Sequence, residues 1–507
     1  MKFSNIRPIV FWLPISVFIA LVVTSLVNTG VFLSVTSSIN DWILAVFAHA
    51  FSFGAFAFVL TCCWAMVSPI GKIRIGGAAS TPLLSRWNWF AITLTTTVAV
   101  GILFWATAEP IYHLYNPGGL SIVAGSDEAV GFSMTTLFMH WAFTPYAIYT
   151  IPGLTFALVY YNLKKPFSLS SPISALTGRT VPQVGADILD GFALLSLLFG
   201  LTAVLGVGMM SISGGIDRLT SLSSSPLLLA CVALAIVSAF FLSSVSGLHR
   251  GIRILSDINT KIFIALMIFV LFAGSTWGIL ELGFRSIGQY AAEFIPRSLF
   301  LDPFNNREWL NSWTVFYWAN WLAWAPLTAM FLGKISRGYT VREYVFVNFF
   351  APALFSILWM TIFGGTSLNV ESNNPGFLKD VLDTDGPDQV LFAVIDFLPL
   401  AIPVAILFII VSFISYVTAA DSNMEVMAAL CVKDKTPDPA AGSRIGIKFI
   451  WASLVGIAAW VMTSLSGIDG VKMMSNLGGL PALFIVILFN ITLIMLGTVK
   501  IKDLRGV

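Results

Sequence analysis

The chain has 507 residues, of which 57% are hydrophobic and 10% are charged, and its mean hydropathy is +0.89. This composition excludes a soluble globular protein and requires lipid as part of the solvent. The net charge of +2 identifies no partner, and we expect no binding of nucleic acid. Four cysteines lie in or at the ends of apolar segments, without metal-ligand spacing, and are interpreted as small core residues: Cys62, Cys63, Cys231 and Cys431.

Apolar segments long enough to cross a bilayer recur along the whole chain. They predict an all-α integral membrane protein with about twelve transmembrane helices. The first segment follows the N-terminal sequence MKFSNIRPIV, is long for a signal peptide and is expected to be retained. The predicted spans lie at about 8–28, 42–67, 88–110, 130–161, 187–212, 225–248, 257–281, 311–333, 345–369, 390–419, 445–466 and 478–498.

The distribution of cations predicts the orientation of these spans. Of the 27 Lys and Arg residues, twenty fall on the side of the N-terminus, six fall on the other side, and Lys261 lies within a span. Because cytoplasmic loops carry the excess of Lys and Arg, we predict a multi-pass protein of a bacterial-type inner membrane with both termini in the cytoplasm. In the predicted outer loops, residues 285–310 are expected to form a short surface helix, and the acidic residues 370–389 a solvated loop.

The most distinctive segment runs from Trp313 to Glu343 and begins WTVFYWANWLAWAP. Trp318, Trp321 and Trp324 are three residues apart, so on a helix they form one stripe. Indole faces attract cations, and several faces together enclose a methylated ammonium group. Tryptophan is also enriched at membrane interfaces, where it packs without binding a ligand. The spacing alone leaves both interpretations open.

Four segments together resemble the betaine/choline/carnitine transporter family over about residues 8–498: GILFWATAEPIYH (101–113), MHWAFTPYAIYTIPGL (139–154), the tryptophan-rich segment and YVTAADSN (416–423). The resemblance implies a LeuT-like fold of inverted five-helix repeats, formed by helices 3–7 and 8–12. It implies secondary active uptake of a quaternary-ammonium or sulfonium zwitterion: glycine betaine, choline, carnitine or dimethylsulfoniopropionate. It further implies one transporter domain over 1–507, with two peripheral helices in 8–67, repeats in 88–281 and 311–498, and a homotrimer.

By resemblance, the aromatic substrate site is expected to involve Trp141, Tyr146, Tyr149, Trp318, Trp321 and Trp324. Tyr146 and Asn320 stand where the family usually has tryptophan. A buried amide needs hydrogen-bond partners. The partner of the Asn320 amide is either the substrate or a neighbouring helix, and the sequence leaves both open.

The anionic end of the substrate is expected to face the third span around Thr97 and Gly101. Family members usually have several glycines here, which let backbone amides meet a carboxylate. This chain keeps only Gly101, and the alternative is a close contact between helices. Glu109 is interpreted as structural. His140 is interpreted as a hydrogen-bonded helix contact rather than as a proton carrier.

The tenth span ends YVTAADSN, where the resemblance implies a sodium site built from a Thr-Ser pair. Here the pair is Thr418-Ala419, so one oxygen ligand of a hard cation is missing. Lys261 is the only cation inside a predicted span, and it either replaces the sodium ion or snorkels to the membrane surface. The coupling ion is therefore sodium or a proton. No cofactor and no metal centre are expected.

These features predict a transporter and not an enzyme, because the spans contain no paired catalytic carboxylates, metal-ligand cluster or nucleophile–base motif. The alternative is a membrane receptor or sensor that binds the same ligands without transporting them.

Overall fold

In the computed structural model the described residues are 5–505, except 99, 119–120, 221, 246–248, 300–306 and 434–443, and for residues 249–253 only the backbone is described. Within these residues the regular structure is helical, apart from two isolated β-bridges. The predicted all-α membrane fold is therefore confirmed. Its helices are α1 (Pro8–Val27), α2 (Thr29–Val67), α3 (Arg86–Val98), α4 (Gly101–Tyr115), α5 (Asp127–Trp141), α6 (Phe143–Ala157), α7 (Ser170–Thr177), α8 (Gln183–Leu219), α9 (Pro226–Val245), α10 (His249–Ala273), α11 (Thr276–Leu299), α12 (Arg307–Leu310), α13 (Phe316–Ile335), α14 (Val341–Val345), α15 (Ala351–Asn373), α16 (Phe377–Thr384), α17 (Pro387–Ile395), α18 (Ala401–Leu430), α19 (Ile445–Thr498) and α20 (Ile501–Arg505).

The number of spans agrees with the prediction of about twelve. By length and composition, up to ten helices or helix pairs of the described chain are able to cross a membrane. Helix α19 supplies two of the twelve, because Gly467 interrupts its 54 residues with a non-helical φ of 51° and ψ of −130°. Counting the buried helical segment 307–335, which contains α13, as a further span would bring the total to twelve. The predicted repeats, 88–281 and 311–498, stay a prediction.

Two predicted spans are broken, and both breaks lie near the centre of the bundle. Helices α3 and α4 together form the third span and are bent by 53° where they meet. Helices α5 and α6 form the fourth span and meet at Ala142, whose φ of −99° and ψ of −117° are not helical. Pro145 follows three residues later and has no N–H to continue a regular helix across this point. Each break exposes backbone groups that a continuous helix would pair internally.

The predicted outer face carries more helix than expected. Helix α10 ends at Ala273 instead of near 281, and α11 is a surface helix of 24 residues, longer than the short helix predicted. The prediction of a solvated loop over 370–389 is wrong, because α16 and α17 lie there. Glu371 explains this order: its carboxylate accepts the N–H groups of Gly376 and Leu378 at 2.8 and 2.6 Å.

The core of the bundle is formed by α5, α6, α8, α13 and the second half of α19. Of the most apolar 18 residues of α8, 94% are buried, compared with 33% in α1 and 39% in α2. Helices α1 and α2 are less buried than α8, and their predicted role as two peripheral helices stays a prediction. Helix α13 is buried over almost its whole length, which places its aromatic stripe inside the protein and not at a membrane interface.

Candidate functional site

Trp321 of α13 is the centre of an aromatic cluster. Its ring centroid lies 5.4 Å from that of Trp141, 5.9 Å from that of Tyr146 and 5.6 Å from that of Tyr149. The Trp141 and Tyr149 rings meet it nearly edge-on, at interplanar angles of 80° and 76°. All four side chains are buried, and among the described residues Trp321 Nε1 has no hydrogen-bond partner. We name these four residues the aromatic cluster.

The broken fourth span brings the cluster together. Trp141 is the last residue of α5, while Tyr146 and Tyr149 are three positions apart on one face of α6. The break at Ala142 therefore turns side chains from both helix segments toward α13. Tyr146 is fixed by a 2.7 Å hydrogen bond between its hydroxyl and Ser356 Oγ of α15.

The broken third span lies beside the same cluster. A methyl group added to Gly101 would lie 3.0 Å from Trp141 Cη2, so the absence of a side chain makes room for the indole. Gly101 is the first residue of α4, and the first intrahelical bond of that helix is donated by Leu103. The N–H groups of Gly101 and Ile102 precede that bond. The Thr97 hydroxyl instead donates to the carbonyl of Thr93 at 2.8 Å.

The remaining residues of the predicted substrate site lie outside the aromatic cluster. Trp324 packs against α8, where a Cβ added to Gly200 would lie 2.8 Å from Trp324 Cδ1. The Trp318 ring lies 6.0 Å from the His140 ring. The side-chain amide oxygen of Asn320, Oδ1, accepts a 3.0 Å hydrogen bond from Ser475 Oγ of α19. Of the two partners considered for the Asn320 amide, the neighbouring helix is therefore the one that it bonds in the structure.

The structure does not bring the three predicted ion-coupling residues together. Thr418 and Ala419 are buried in α18, and the Thr418 hydroxyl donates to the carbonyl of Ile414 at 2.9 Å. The Lys261 side chain is 65% exposed and pairs with Asp257 at 2.7 Å, one turn earlier on α10. Asn259 of α10 does face α18, since its amide donates to Ser415 Oγ at 2.9 Å. Placement of Lys261 at the ion site is therefore corrected, because its charge lies at the surface of the bundle.

Beside the aromatic cluster lies a polar cluster that we name the Glu109 cluster: Glu109, His113, His140 and Tyr317. Glu109 Oε1 lies 2.6 Å from His140 Nδ1 and 3.2 Å from His113 Nε2. Glu109 Oε2 accepts hydrogen bonds from Tyr317 at 2.5 Å and from the indole N–H of Trp141 at 2.9 Å. All four residues of the cluster are fully buried.

A carboxylate and two imidazoles form a donor set that zinc accepts in other proteins. Here, however, Glu109 and His140 are separated by 2.6 Å, the distance of a charge-assisted hydrogen bond. Two ligands on a tetrahedral zinc ion lie farther apart, at about 3.3 Å. We therefore interpret the Glu109 cluster as a hydrogen-bonded network.

Sequence reasoning assigned Glu109 and His140 only structural roles and missed their association. A signal was present, because Glu109 and His113 are four residues apart on one helix and His140 directly precedes Trp141. Ionisable residues inside membrane spans are functional candidates by default. That rule was applied to Lys261, but it applies more directly to this buried cluster.

A family model for the betaine/carnitine/choline family of transporters matches residues 9–499. The chain belongs to this family. Membership identifies a multi-pass membrane transporter rather than an enzyme, as the sequence predicted. The betaine/carnitine/choline transporters that resemble it cover most of its length.

One is a probable glycine betaine transporter of Desulfitobacterium hafniense, 32% identical over 80% of this chain and 80% of its own. A glycine betaine transporter of Bacillus subtilis is 29% identical over 94% of this chain and 92% of its own. Among solved structures, a Na⁺-coupled sialic acid symporter matches with 15% identity and a TM-score of 0.47, over 91% of this chain and 87% of that one.

Proposed function

We propose that this transporter takes up a methylated ammonium or sulfonium zwitterion by alternating access, with glycine betaine as the first substrate to test. The observation that carries the proposal is the group of three aromatic rings around Trp321, each with its centroid within 6 Å of the Trp321 centroid. Rings of this kind attract a methylated cation, which has no N–H to donate. Two relatives whose names include glycine betaine support the same substrate class.

The zwitterion would lie between the aromatic cluster and the start of α4. Its cation would face Trp321, Trp141 and Tyr149. Its carboxylate would face the N–H groups of Gly101 and Ile102, where the positive end of the α4 dipole favours an anion. The unpaired N–H of Trp321 is a second donor for a ligand oxygen. A ligand with charges of both signs thus fits this position better than a simple cation.

Alternating access would move the broken third and fourth spans relative to α13 and expose the site to each side in turn. We place the protein in a bacterial-type inner membrane, with both termini in the cytoplasm, as the cation distribution predicts. A homotrimer is the proposed assembly, on the basis of the family resemblance. The coupled ion is sodium or a proton.

Accumulation in proteoliposomes tests the proposal. Radiolabelled glycine betaine, choline, carnitine and dimethylsulfoniopropionate are offered under sodium and pH gradients, and intrinsic tryptophan fluorescence measures binding in detergent. Accumulation of an unchanged compound supports transport. Binding without accumulation under any gradient would favour a receptor, and failure of all four compounds to bind would refute the proposed substrate class.

A further inference from the structure

The hydrogen-bond pattern of Glu109 divides its carboxylate into two halves. Oε2 accepts hydrogen bonds from Trp141 and Tyr317. The indole N–H can only donate, so a proton on Oε2 could not be shared with it. Oε1 faces the two imidazoles, His140 at 2.6 Å and His113 at 3.2 Å. A buried carboxylate needs a compensating positive charge or a proton of its own. The cluster therefore has a defined place for an exchangeable proton, between Oε1 and an imidazole.

His140 connects this place to a cavity on the predicted outer side. Its Nδ1 faces Glu109, and its Nε2 lies 3.0 Å from Thr314 Oγ1. His140 and Thr314 both line a cavity of about 440 Å³ between α5, α11 and residues 309–314. The other lining groups include Glu128, Glu293 and Arg297, a polar set that suits ordered water. The two ring nitrogens of His140 thus join the cavity to the buried carboxylate.

The opposite side of the Glu109 cluster is part of the proposed substrate site. The Trp141 indole that donates to Glu109 also packs against Trp321, with centroids 5.4 Å apart. Protonation of Glu109 would weaken the bonds that its Oε2 accepts from Trp141 and Tyr317, because a neutral oxygen is a poorer acceptor than a charged one. A proton on the Glu109 cluster would therefore loosen the hydrogen bond that positions the Trp141 ring, which faces the proposed substrate site.

The charged and titratable groups around the cluster favour Glu109 and His140 as the proton site. Lys472 of α19 lies 4.1 Å from the Trp313 ring, and that ring lies 4.6 Å from the His113 ring. This nearby ammonium repels a positive charge on His113. The other groups are Tyr112 of α4, Tyr317 of α13, Asp469 of α19, Asp383 of α16, Asp388 of α17, Glu371 of α15, Glu128 of α5, and Glu293 and Arg297 of α11.

Two of these groups are already committed elsewhere. Glu293 pairs with Arg297 at 2.5 Å, and Glu371 accepts from the Tyr115 hydroxyl at 2.5 Å. Neither carboxylate is bonded to His140. The geometry thus isolates one carboxylate–imidazole pair between the outer cavity and the substrate site.

We propose that Glu109 and His140 bind one proton, taken up through the Thr314 cavity, and that this proton is transported with the substrate. The inference rests on the proposed function, since it assigns the coupled ion of the same transport cycle. The proton enters from the outer cavity, is held between Glu109 Oε1 and His140 Nδ1, and leaves on the opposite side with the zwitterion.

Proteoliposome uptake of radiolabelled glycine betaine, or of the family compound that binds best, tests this coupling. An inward gradient of one pH unit without sodium should give about tenfold accumulation for one proton per substrate. The variant Glu109→Gln keeps an oxygen acceptor but loses the charge. It should lose gradient-driven accumulation, and its substrate affinity by tryptophan fluorescence should no longer change with pH. The matched control is Glu371→Gln, another buried carboxylate on the outer side, which should accumulate substrate like the wild type.

A direct readout uses weakly buffered protein with a pH dye. Substrate binding should change the number of bound protons in the wild type and in Glu371→Gln, but not in Glu109→Gln. If Glu109→Gln does not fold, Thr314→Val replaces it: loss of the hydroxyl next to His140 should slow proton-driven uptake about tenfold without weakening binding.

Sodium-driven uptake that ignores pH would overturn the proton site and leave the proposed transport function intact. Proton-driven uptake that persists unchanged in Glu109→Gln, or in Thr314→Val if that variant is needed, would also overturn it. Failure of every methylated compound to bind the wild type would instead refute the proposed function.

Discussion

The Trp141 indole separates two regions of different chemistry. On one side its ring packs against Trp321, in a cluster of aromatic side chains. On the other side its N–H reaches Glu109, in a network of ionisable and hydroxyl groups. The first region suits a permanent cation, and the second suits an exchangeable proton. One side chain that takes part in both provides a short physical link between substrate and coupled ion.

The largest expected effect is a loss of substrate affinity that distinguishes two tryptophans on the same helix. Trp321→Leu removes the ring at the centre of the aromatic cluster, and a desolvated cation–π contact is worth about 2 kcal/mol. Affinity for glycine betaine should therefore fall about thirtyfold. Trp324→Leu, one turn away, removes a ring that packs against Gly200, and affinity should change less than about threefold. Isothermal titration of the two purified variants measures the difference.

Equal losses of affinity in Trp321→Leu and Trp324→Leu would contradict the separation of these two rings. Thermal unfolding of both variants provides the control, because each leaves a cavity after loss of a large buried side chain. Similar unfolding temperatures with different affinities would assign the effect to the ligand and not to the fold.

A smaller effect is expected at the edge of the aromatic cluster. In Gly101→Ala the new methyl group would lie 3.0 Å from Trp141 Cη2, so the indole must move. Overpacking of this kind costs about 1–3 kcal/mol, and we expect affinity to fall about tenfold. Gly208→Ala is the matched control, since its added methyl group would lie 3.7 Å from Val100, an ordinary contact. Equal affinities in the two variants would place the substrate away from Trp141.

The two regions also differ in how far the sequence predicts them. Trp321 belongs to a stripe of tryptophans spaced three residues apart, and the family resemblance already places it with Trp141, Tyr146 and Tyr149. The Glu109 cluster collects single polar residues from positions 109, 140 and 317, on three different helices. No local pattern reveals which helix faces meet. Sequence therefore predicted the aromatic side of Trp141 and missed its polar side.

Similar reasoning explains one corrected prediction and one contact that the sequence does not reveal. The acidic composition of residues 370–389 predicted a loop, but Leu378 and Leu382 pack in a small core with Ala108 and Ile111. Two leucines four residues apart are a weak indication of a helix when only one sequence is at hand. The contact of Trp324 with Gly200 of α8 depends on tertiary packing, which spacing along one helix does not predict, and its role in the substrate site stays a prediction.

A third prediction concerns Asn320, whose amide was expected to bond either the substrate or a neighbouring helix. Asn320→Ala removes one of two acceptors of the Ser475 hydroxyl, which also lies 3.0 Å from the Val471 carbonyl oxygen. The expected cost is about 1 kcal/mol of folding stability, with affinity and substrate order unchanged within about twofold. Ser475→Ala should have a similar cost, and the double variant should cost less than the sum. Additive costs in thermal unfolding would show that Asn320 and Ser475 do not stabilise each other. A changed substrate order in Asn320→Ala would show that the amide meets the substrate.

The smallest effect is expected at Lys261, for which the sequence left open either replacement of the sodium ion or a position at the membrane surface. Its ammonium pairs with Asp257 on an exposed face of α10, and the same carboxylate accepts the indole N–H of Trp87 at 2.7 Å. Exposed pairs of this kind contribute little to stability. Lys261→Met should therefore leave uptake, its ion dependence and its pH dependence within about twofold of the wild type. The comparison is with Glu109→Gln in the same vesicles, under the same pH and sodium gradients. Loss of ion-driven accumulation in Lys261→Met together with normal accumulation in Glu109→Gln would reverse the assignment and return the coupled charge to α10.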